Sequence, residues 1–278
     1  MLIDAQKYKE SLIYLWNKVF GDDYGYIKNI YRDEFKDDIL CFAHIENDKA
    51  VSAFYLLKNT LKFEGKFYNG YYLYSAATLP EYRKKGLMSK LIKEAQKFCE
   101  DSGCDYVSLV PANDELYHYY EKFGFQEAMH YWHNAFQSEF DESFVADVIS
   151  DAEQFSKFRY NYKGNMFDYS SKATAYAVLS LKKSRYNILR LSDTAYCCFD
   201  KNGALAYEFI CEQEKIKEEI KKLLKTVKEP FCIVLSPYDM SSFSLLSFPI
   251  KFGMIYPIHS ELKRDWKYTD IYMNLALN

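Results

Sequence analysis

Residues 75–92 read "SAATLPEYRKKGLMSKLI", and this stretch decides the fold. A strand is predicted to end at Leu79, three neighbouring cations follow, and a helix is predicted to begin around Gly86. The first turn of a helix exposes backbone N–H groups without internal partners, and the helix dipole favours an anion there. Because Gly86 has no Cβ, a phosphate can approach closely. The stretch predicts a phosphate or pyrophosphate site at a strand–helix junction, with a solvated charge cluster as the alternative.

The surrounding residues predict an alternation of strands and helices. Two helices come first, over 4–20 and 22–35, and an antiparallel meander of three strands follows, over 39–45, 50–63 and 67–79. The next elements are a helix, a buried strand, a helix and a strand, over 87–101, 105–111, 112–124 and 125–136. The order β-α-β-α-β across 66–136 predicts a right-handed βαβ unit with its ligand site at the carboxyl ends of the strands.

The second half of the chain predicts a separate α/β domain. We place a boundary near residue 140, which gives domains over 1–140 and 141–278. Helices are predicted over 152–160 and 212–228, and strands over 176–181, 186–192, 194–200, 204–211 and 231–237. The strand–helix–strand order over 204–236 echoes that over 71–110, which leaves open that this half is a degenerate copy of the first. Nothing like "RKKG" opens its helix.

The composition narrows the class of protein. Of the 278 residues 49% are hydrophobic, which allows a sizeable core, and the net charge of −3 lacks the basic excess of a nucleic-acid binder. No apolar run approaches the roughly 20 residues that cross a bilayer, and no signal-peptide pattern opens the chain. Seven cysteines without a CxxC pair argue against disulfides or structural zinc, and His130 and His133 point to opposite faces of a predicted strand. We expect a cytoplasmic protein with no metal, no nucleic-acid partner and no membrane partner.

Two motifs resemble those of the GCN5-related N-acetyltransferase (GNAT) superfamily. The acyl-CoA signature R/Q-x-x-G-x-G/A is matched by "RKKGLM" at 83–88, although Met88 stands where glycine or alanine is usual. The preceding "ATLPEYR" resembles the strand-end pattern V-x-P-x-x-R. One helix and one strand further on, "NDELYHYYEKFGF" resembles the family's second motif through Asn113, Tyr120, Gly124 and Phe125.

This resemblance implies a fold and an acetyl-CoA site. Residues 1–140 would form a GNAT-like mixed sheet flanked by helices, with acetyl-CoA between the strand that ends near Leu79 and the strand at 105–110. The implied cofactor contacts are the strand-end backbone, the turn and helix start, and one side chain for the pantetheine arm: Ala77, Thr78, Leu79, then Arg83, Lys84, Lys85, Gly86, Leu87, Met88 and Ser89, and finally Asn113.

The resemblance also implies a direct transfer in a ternary complex, in which Tyr120 protonates the leaving thiolate. A phenol with a pKa of about 10 suits that role, and a packed core tyrosine is the alternative. The base is less evident, because the strand before Leu79 has no acid and Glu64 and Glu81 lie at turns. The arrangement of two halves resembles the enhanced-intracellular-survival branch, which would make the α-carboxylate of Asn278 the base; a merely structural terminus is the alternative.

The sequence therefore predicts an acetyl-CoA-dependent N-acetyltransferase that acts on a primary amine, either a small molecule or a peptide. A non-catalytic acyl-CoA-binding sensor or scaffold is the alternative, because the strand lacks a glutamate and Met88 is bulky. The identity of the amine, the role of the second half and a homo-oligomeric state are left open.

Overall fold

The structure is a computed structural model. It describes residues 1–32, 37–149, 151–169, 176, 178, 181, 186–200, 205–242, 248–267 and 270–272. Asn278 lies outside the described residues, so the role predicted for its carboxylate stays a prediction.

The described helices and strands follow the predicted order closely through residue 136. The α-helices are α1 (Lys9–Phe20), α2 (Tyr24–Lys28), α3 (Leu87–Asp101), α4 (Asp114–Glu121), α5 (Ala152–Asn161), α6 (Ile216–Thr226) and α7 (Pro237–Met240). The strands are β1 (Leu2–Ile3), β2 (Ile39–Glu46), β3 (Lys49–Phe63), β4 (Lys66–Thr78), β5 (Tyr106–Leu109), β6 (Gln126–Phe136), β7 (Asp147–Val148), β8 (Met166–Tyr169), β9 (Tyr186–Arg190), β10 (Tyr196–Asp200), β11 (Leu205–Ile210), β12 (Phe231–Leu235) and β13 (Ile250–Pro257).

The first structural unit comprises Met1–Leu61, Phe67–Glu127 and Met254–Asp265. Its sheet has the strand order β1-β2-β3-β4-β5-β13. Strands β4 and β5 are parallel and joined by α3, whereas β13 pairs antiparallel with β5 from Met254 opposite Leu109. The apolar stripe of α3, which includes Leu91, Ile92 and Cys99, is buried against the sheet in one core cluster. This packing is what sets α3 over the carboxyl end of β4.

The second unit comprises Lys62–Lys66, Ala128–Gly253 and the described residues from Trp266 onward. Its sheet has the order β6-β12-β11-β10-β9-β7. Strands β11 and β12 are parallel and joined by α6, so the predicted strand–helix–strand order is confirmed. The buried face of α6, with Ile216, Ile220 and Leu223, packs into the core cluster of this unit. The predicted pair on its exposed face is also present, with Lys222 Nζ 3.0 Å from Glu218 Oε1.

A buried cation organises the second unit. The Arg159 guanidinium donates to Asp168 Oδ1 at 2.7 Å and to Glu208 Oε1 at 2.5 Å, and Tyr196 donates to the other oxygen of Glu208 at 2.6 Å. Burial opposes the charge on Arg159, but the two carboxylates raise its pKa well above the ordinary value. The network joins α5 to β8, β10 and β11.

Two predictions made from sequence need correction. The strand predicted over 176–181 is wrong at the positions that the structure describes, because residues 176, 178 and 181 are helical. A short continuous apolar run does not distinguish a strand from a buried helix. The helix predicted over 22–35 is helical only to residue 31, with a 3₁₀ turn over Asn29–Tyr31 and residues 33–36 outside the description. The strand β13 was not predicted.

The division near residue 140 stays a prediction.

Within the described parts of the chain, no helix is both long and apolar enough to span a bilayer.

Candidate active site

The two parallel strands of the first unit part at their carboxyl ends. Their paired register ends with Leu73 opposite Leu109, whereas β4 continues to Thr78. The N–H of Leu79 donates to the Val51 carbonyl at 3.0 Å, so this end of β4 is held on the side of β3. Parallel strands that separate in this way leave backbone groups of β4 without a β5 partner. This is the gap predicted for a ligand.

Ser75 lies in β4 just past the last paired residue. Its φ is +54°, a left-handed conformation that is uncommon for a residue other than glycine. Its Oγ is buried and has no hydrogen-bond partner among the described residues. Backbone strain and an unsatisfied hydroxyl both cost free energy and concentrate at binding sites. Sequence reasoning missed Ser75, because nothing in the local pattern distinguishes it from its neighbours.

The turn between β4 and α3 has an unusual backbone. A short 3₁₀ helix over Pro80–Tyr82 is followed by Lys84 at φ +61° and Gly86 at φ +74°. Gly86 is the N-cap residue of α3, and no side chain caps this end of the helix. The first hydrogen bond of the helix runs from the Lys90 N–H to the Gly86 carbonyl at 3.1 Å. The preceding N–H groups of the first turn are therefore available to an anion.

The structure gives a reason for glycine at position 86 that differs from the close approach of a phosphate inferred from sequence. A Cβ added there would meet no protein atom within 4 Å, so neighbouring side chains do not require glycine. The left-handed φ requires it, because an L side chain is strained in that region. The space that a Cβ would occupy is open, which leaves it free for a ligand in front of the helix.

The three cations of the turn serve different contacts. Arg83 Nε donates to the Thr78 carbonyl at 3.1 Å and ties the turn to the end of β4. Lys85 Nζ lies 4.6 Å from the centroid of the Tyr82 ring, within cation–π range. Lys84 is exposed and has no such partner among the described residues. Lys84 is thus the cation with most freedom to turn toward a bound anion.

The first turn of α3 is anchored by side chains. Met88, which stands where glycine or alanine is usual in the signature, is half-buried and packs against the core cluster. Ser89 Oγ is 3.1 Å from the hydroxyl of Tyr119 on α4. These contacts connect the start of α3 to α4.

Tyr120 has a buried ring, and its hydroxyl has no hydrogen-bond partner in the described part of the chain. Its ring packs between Tyr119 and Phe125, with centroids 5.3 and 5.7 Å away. It belongs to the core cluster that contains Leu73 and Leu109, the last paired residues before the gap. No described residue forms a hydrogen bond with its hydroxyl. Burial raises the pKa of Tyr120 above its ordinary value, so the phenol holds its proton at neutral pH.

Asn113 has a structural task. It is the N-cap of α4, and its Oδ1 accepts a hydrogen bond from the Leu116 N–H at 3.1 Å. The cap uses one of the two lone pairs of this oxygen, so the other lone pair and the amide Nδ2 remain for a pantetheine arm. The predicted contact with acetyl-CoA stays a prediction.

No general base is evident around the gap among the residues that the structure describes. Strand β4 carries no acid, and the exposed His118 is paired with Glu121 at 3.1 Å. Two carboxylates, Glu46 and Glu81, line a surface hollow of about 620 Å³ beside Leu79. The exposed Lys49 lines the hollow too, so its two carboxylates leave a net negative charge of one next to the end of β4.

Comparison with known proteins identifies the first part of the chain. Residues 5–128 match the model of a family described as "Acetyltransferase (GNAT) domain". The resemblance to the GNAT superfamily, recognised at 83–88 and 113–125, is therefore confirmed over residues 5–128. No curated protein matches the chain in sequence.

Solved structures share the fold over most of the chain. A GCN5-related N-acetyltransferase from Kribbella flavida is 15% identical with a TM-score of 0.67, covering 92% of this chain and 71% of its own. A probable N-acyltransferase from Enterococcus faecalis V583 is 12% identical with a TM-score of 0.72, covering 93% and 71%. Eis1 from Mycobacterium abscessus is 9% identical with a TM-score of 0.68, covering 92% and 73%. At these identities the likeness concerns the fold, and it extends over the second unit as well.

Proposed function

We propose that this chain transfers an acetyl group from acetyl-CoA directly to a primary amine within a ternary complex. The proposal rests on two features beside the gap between β4 and β5, each of which lacks a partner among the described residues. The N-terminal turn of α3 has no side-chain cap, and the buried Tyr120 ring presents a hydroxyl without a partner among the described residues. One feature suits a pyrophosphate and the other suits a leaving thiolate.

The residues present fit acetyl-CoA. Acetyl-CoA would supply the acetyl group as a thioester. The N–H groups of Leu87, Met88 and Ser89 would bind its pyrophosphate, with Lys84 adding positive charge. The backbone of β4 around Ala77 and Thr78 would bind the pantetheine amides, because this segment extends beyond the register with β5. The Thr78 carbonyl already accepts from Arg83 Nε.

Direct transfer requires a proton donor for the leaving thiolate, and it does not require a nucleophilic side chain on the protein. Because the amine attacks directly, no cysteine is needed, and the buried cysteines fit this: burial raises the pKa of Cys41 to about 12. Tyr120 would donate its proton to the thiolate as it departs. Its raised pKa keeps the proton in place until a strongly basic partner shares the same desolvated gap.

The proposed acceptor is an amine that is protonated, and therefore cationic, before it reacts. Glu46 and Glu81 line the hollow beside Leu79 together with the rings of Tyr14 and Tyr82. Carboxylates and aromatic faces both attract an ammonium group. The amine must lose its proton before it attacks, and the terminal carboxylate of Asn278 is kept as the proposed acceptor of that proton.

The test is release of free thiol from acetyl-CoA in the presence of a panel of polyamines, amino sugars, aminoglycosides and lysine peptides. Amine-dependent thiol release, with mass spectrometry showing the acetylated product, supports the proposal. Binding of acetyl-CoA without acceptor-dependent thiol from any amine refutes it and favours a sensor or scaffold.

A further inference from the structure

The second unit contains a cavity at the place where an α/β unit binds its ligands. The cavity has a volume of about 320 Å³ and is lined at one edge by Ile210, Cys211 and Glu214, which follow one another from the end of β11 into the start of α6. Tyr238, just after β12, lines it too. Sites in such units lie at the carboxyl ends of the strands, and this volume is at the small end of the range for ligand pockets, about 300–1,000 Å³.

The start of α6 differs in chemistry from the start of α3. Residues 212–215 read Glu-Gln-Glu-Lys, with no glycine and no cluster of cations, and Gln213–Lys215 form a 3₁₀ turn. Carboxylates at this position repel a phosphate. The cavity is therefore not a second acyl-CoA pyrophosphate site.

Three aromatic rings give the cavity an apolar wall. Phe158, Tyr162 and Tyr238 line it, and the rings of Tyr162 and Tyr238 meet edge to face with centroids 5.6 Å apart. The Tyr162 hydroxyl donates to Asp239 Oδ2 at 3.0 Å, and the same oxygen accepts from Ser236 Oγ at 2.7 Å. These buried hydrogen bonds hold the Tyr162 ring in place, so the wall is preformed.

Most of the charged residues that line the cavity are paired, either with each other or with residues outside the lining. The Arg190 guanidinium donates to Asp193, and Lys157 Nζ lies 3.1 Å from Glu153 Oε1. Glu212 is paired with Lys215, whose Nζ lies 2.7 Å from its Oε2.

One acidic and one basic residue of the lining are not part of these ion pairs. Glu214 and Lys163 are exposed and have no ion-pair partner within the described ranges of the chain. A ligand that satisfies this cavity has one positive group, one negative group and an apolar part.

We propose that the cavity binds a free amino acid with an apolar side chain. Its ammonium group is recognised by Glu214, and its carboxylate is recognised by Lys163. Its side chain lies against the rings of Phe158, Tyr162 and Tyr238. Binding here is independent of acetyl transfer, because the first unit contributes no residue to the cavity.

The test is isothermal titration calorimetry of the full chain with each standard amino acid, without acetyl-CoA. The best-binding amino acid is then compared with two analogues, its decarboxylated amine and its deaminated acid. We expect both analogues to bind about tenfold more weakly or worse, because each loses one charged hydrogen-bonding group. The proposal is overturned if no amino acid binds, or if either analogue binds as tightly as the parent.

Variants locate the site. Glu214→Gln and Lys163→Gln are each expected to raise the Kd about tenfold, because a charge-assisted contact becomes a neutral one. Glu229→Gln is the matched control, since Glu229 is exposed and does not line the cavity. Asn161→Trp places a large side chain at the exposed rim and is expected to abolish binding with an unchanged circular dichroism melting curve. Wild-type affinity in the folded Asn161→Trp variant assigns the amino acid to another site and overturns the proposal.

Discussion

Replacing Gly86 with alanine separates the two tasks that the start of α3 performs. The backbone at Gly86 has φ +74°, and a residue with a Cβ costs about 1–2 kcal/mol in the left-handed region. The added Cβ meets no protein atom within 4 Å, so no steric term adds to this cost. A destabilisation of this size lowers Tm by about 2–4 °C per kcal/mol in a protein of this size class.

Binding of acetyl-CoA is expected to respond more strongly than stability. The Cβ of Gly86→Ala enters the open space in front of the N–H groups that we assign to the pyrophosphate. Losing one charge-assisted hydrogen bond costs about 1.5–3 kcal/mol, so the Kd for acetyl-CoA should rise about tenfold or more.

The same helix supplies the control. Gly103 follows the C-terminal end of α3 and has φ +70°, and a Cβ added there would likewise meet no atom within 4 Å. Gly103→Ala therefore imposes the same backbone strain at the opposite end of α3. Thermal unfolding and calorimetric titration with acetyl-CoA are measured for both variants. We expect similar losses of Tm but a raised Kd only for Gly86→Ala. A wild-type Kd for Gly86→Ala, or an equal rise for Gly103→Ala, refutes the reasoning.

Three further predictions concern stability. Ser75→Gly removes a left-handed non-glycine residue and should raise the free energy of unfolding by up to about 1 kcal/mol in urea titrations, whereas a clear loss would contradict the assigned strain. Arg159→Leu leaves the carboxylates of Glu208 and Asp168 without their cation and should lower it by about 3–5 kcal/mol; a loss below about 1 kcal/mol would show that the network contributes little. Burial raises the pKa of Asp239 from 3.8 to about 7, so its protonated form favours the folded state. Wild-type stability should therefore fall relative to Asp239→Asn as pH rises from about 4 to 7, by up to about 4 kcal/mol, and a difference that does not vary with pH would contradict this.

Local sequence patterns were sufficient for the elements around the gap. The apolar stripe of α3 predicted its buried face, and Leu91, Ile92, Ala95 and Cys99 are the residues buried there. Strand β5 is short and fully buried, as its nearly continuous apolar run predicted. These elements are defined by neighbours a few residues apart, so a short window of sequence contains the signal.

Elements defined by distant partners were harder to predict. Strand β13 reaches the sheet of the first unit from the far end of the chain, with Met254 opposite Leu109. Such a pairing leaves no mark in the local pattern of either strand. The strand predicted over 176–181 was wrong for a different reason. Its apolar run is a local signal, but that signal is compatible with both a strand and a buried helix.

The acetyl-CoA site stays a prediction, and the structure adds local tasks for its residues that the sequence did not indicate. Asn113 was expected to contact the ligand, but its oxygen caps α4, a task that an asparagine before an acidic first turn often performs. Gly86 was expected for close approach, and its backbone conformation proved to be the stricter requirement. Ser75 carries strain that depends on tertiary context, which sequence alone does not reveal.

The measurement that tests the central claim most directly is the amine-dependent kcat of Tyr120→Phe, with the Kd for acetyl-CoA measured on the same protein. Phenylalanine keeps the buried ring and removes only the hydroxyl, which has no partner among the described residues. The account predicts a fall in kcat of about 10²–10⁴ with a nearly unchanged Kd, because proton donation to the thiolate is lost and binding is not. Tyr119→Phe, which breaks the contact with Ser89, is the control and should retain most of the activity. Wild-type kcat in Tyr120→Phe would contradict the account.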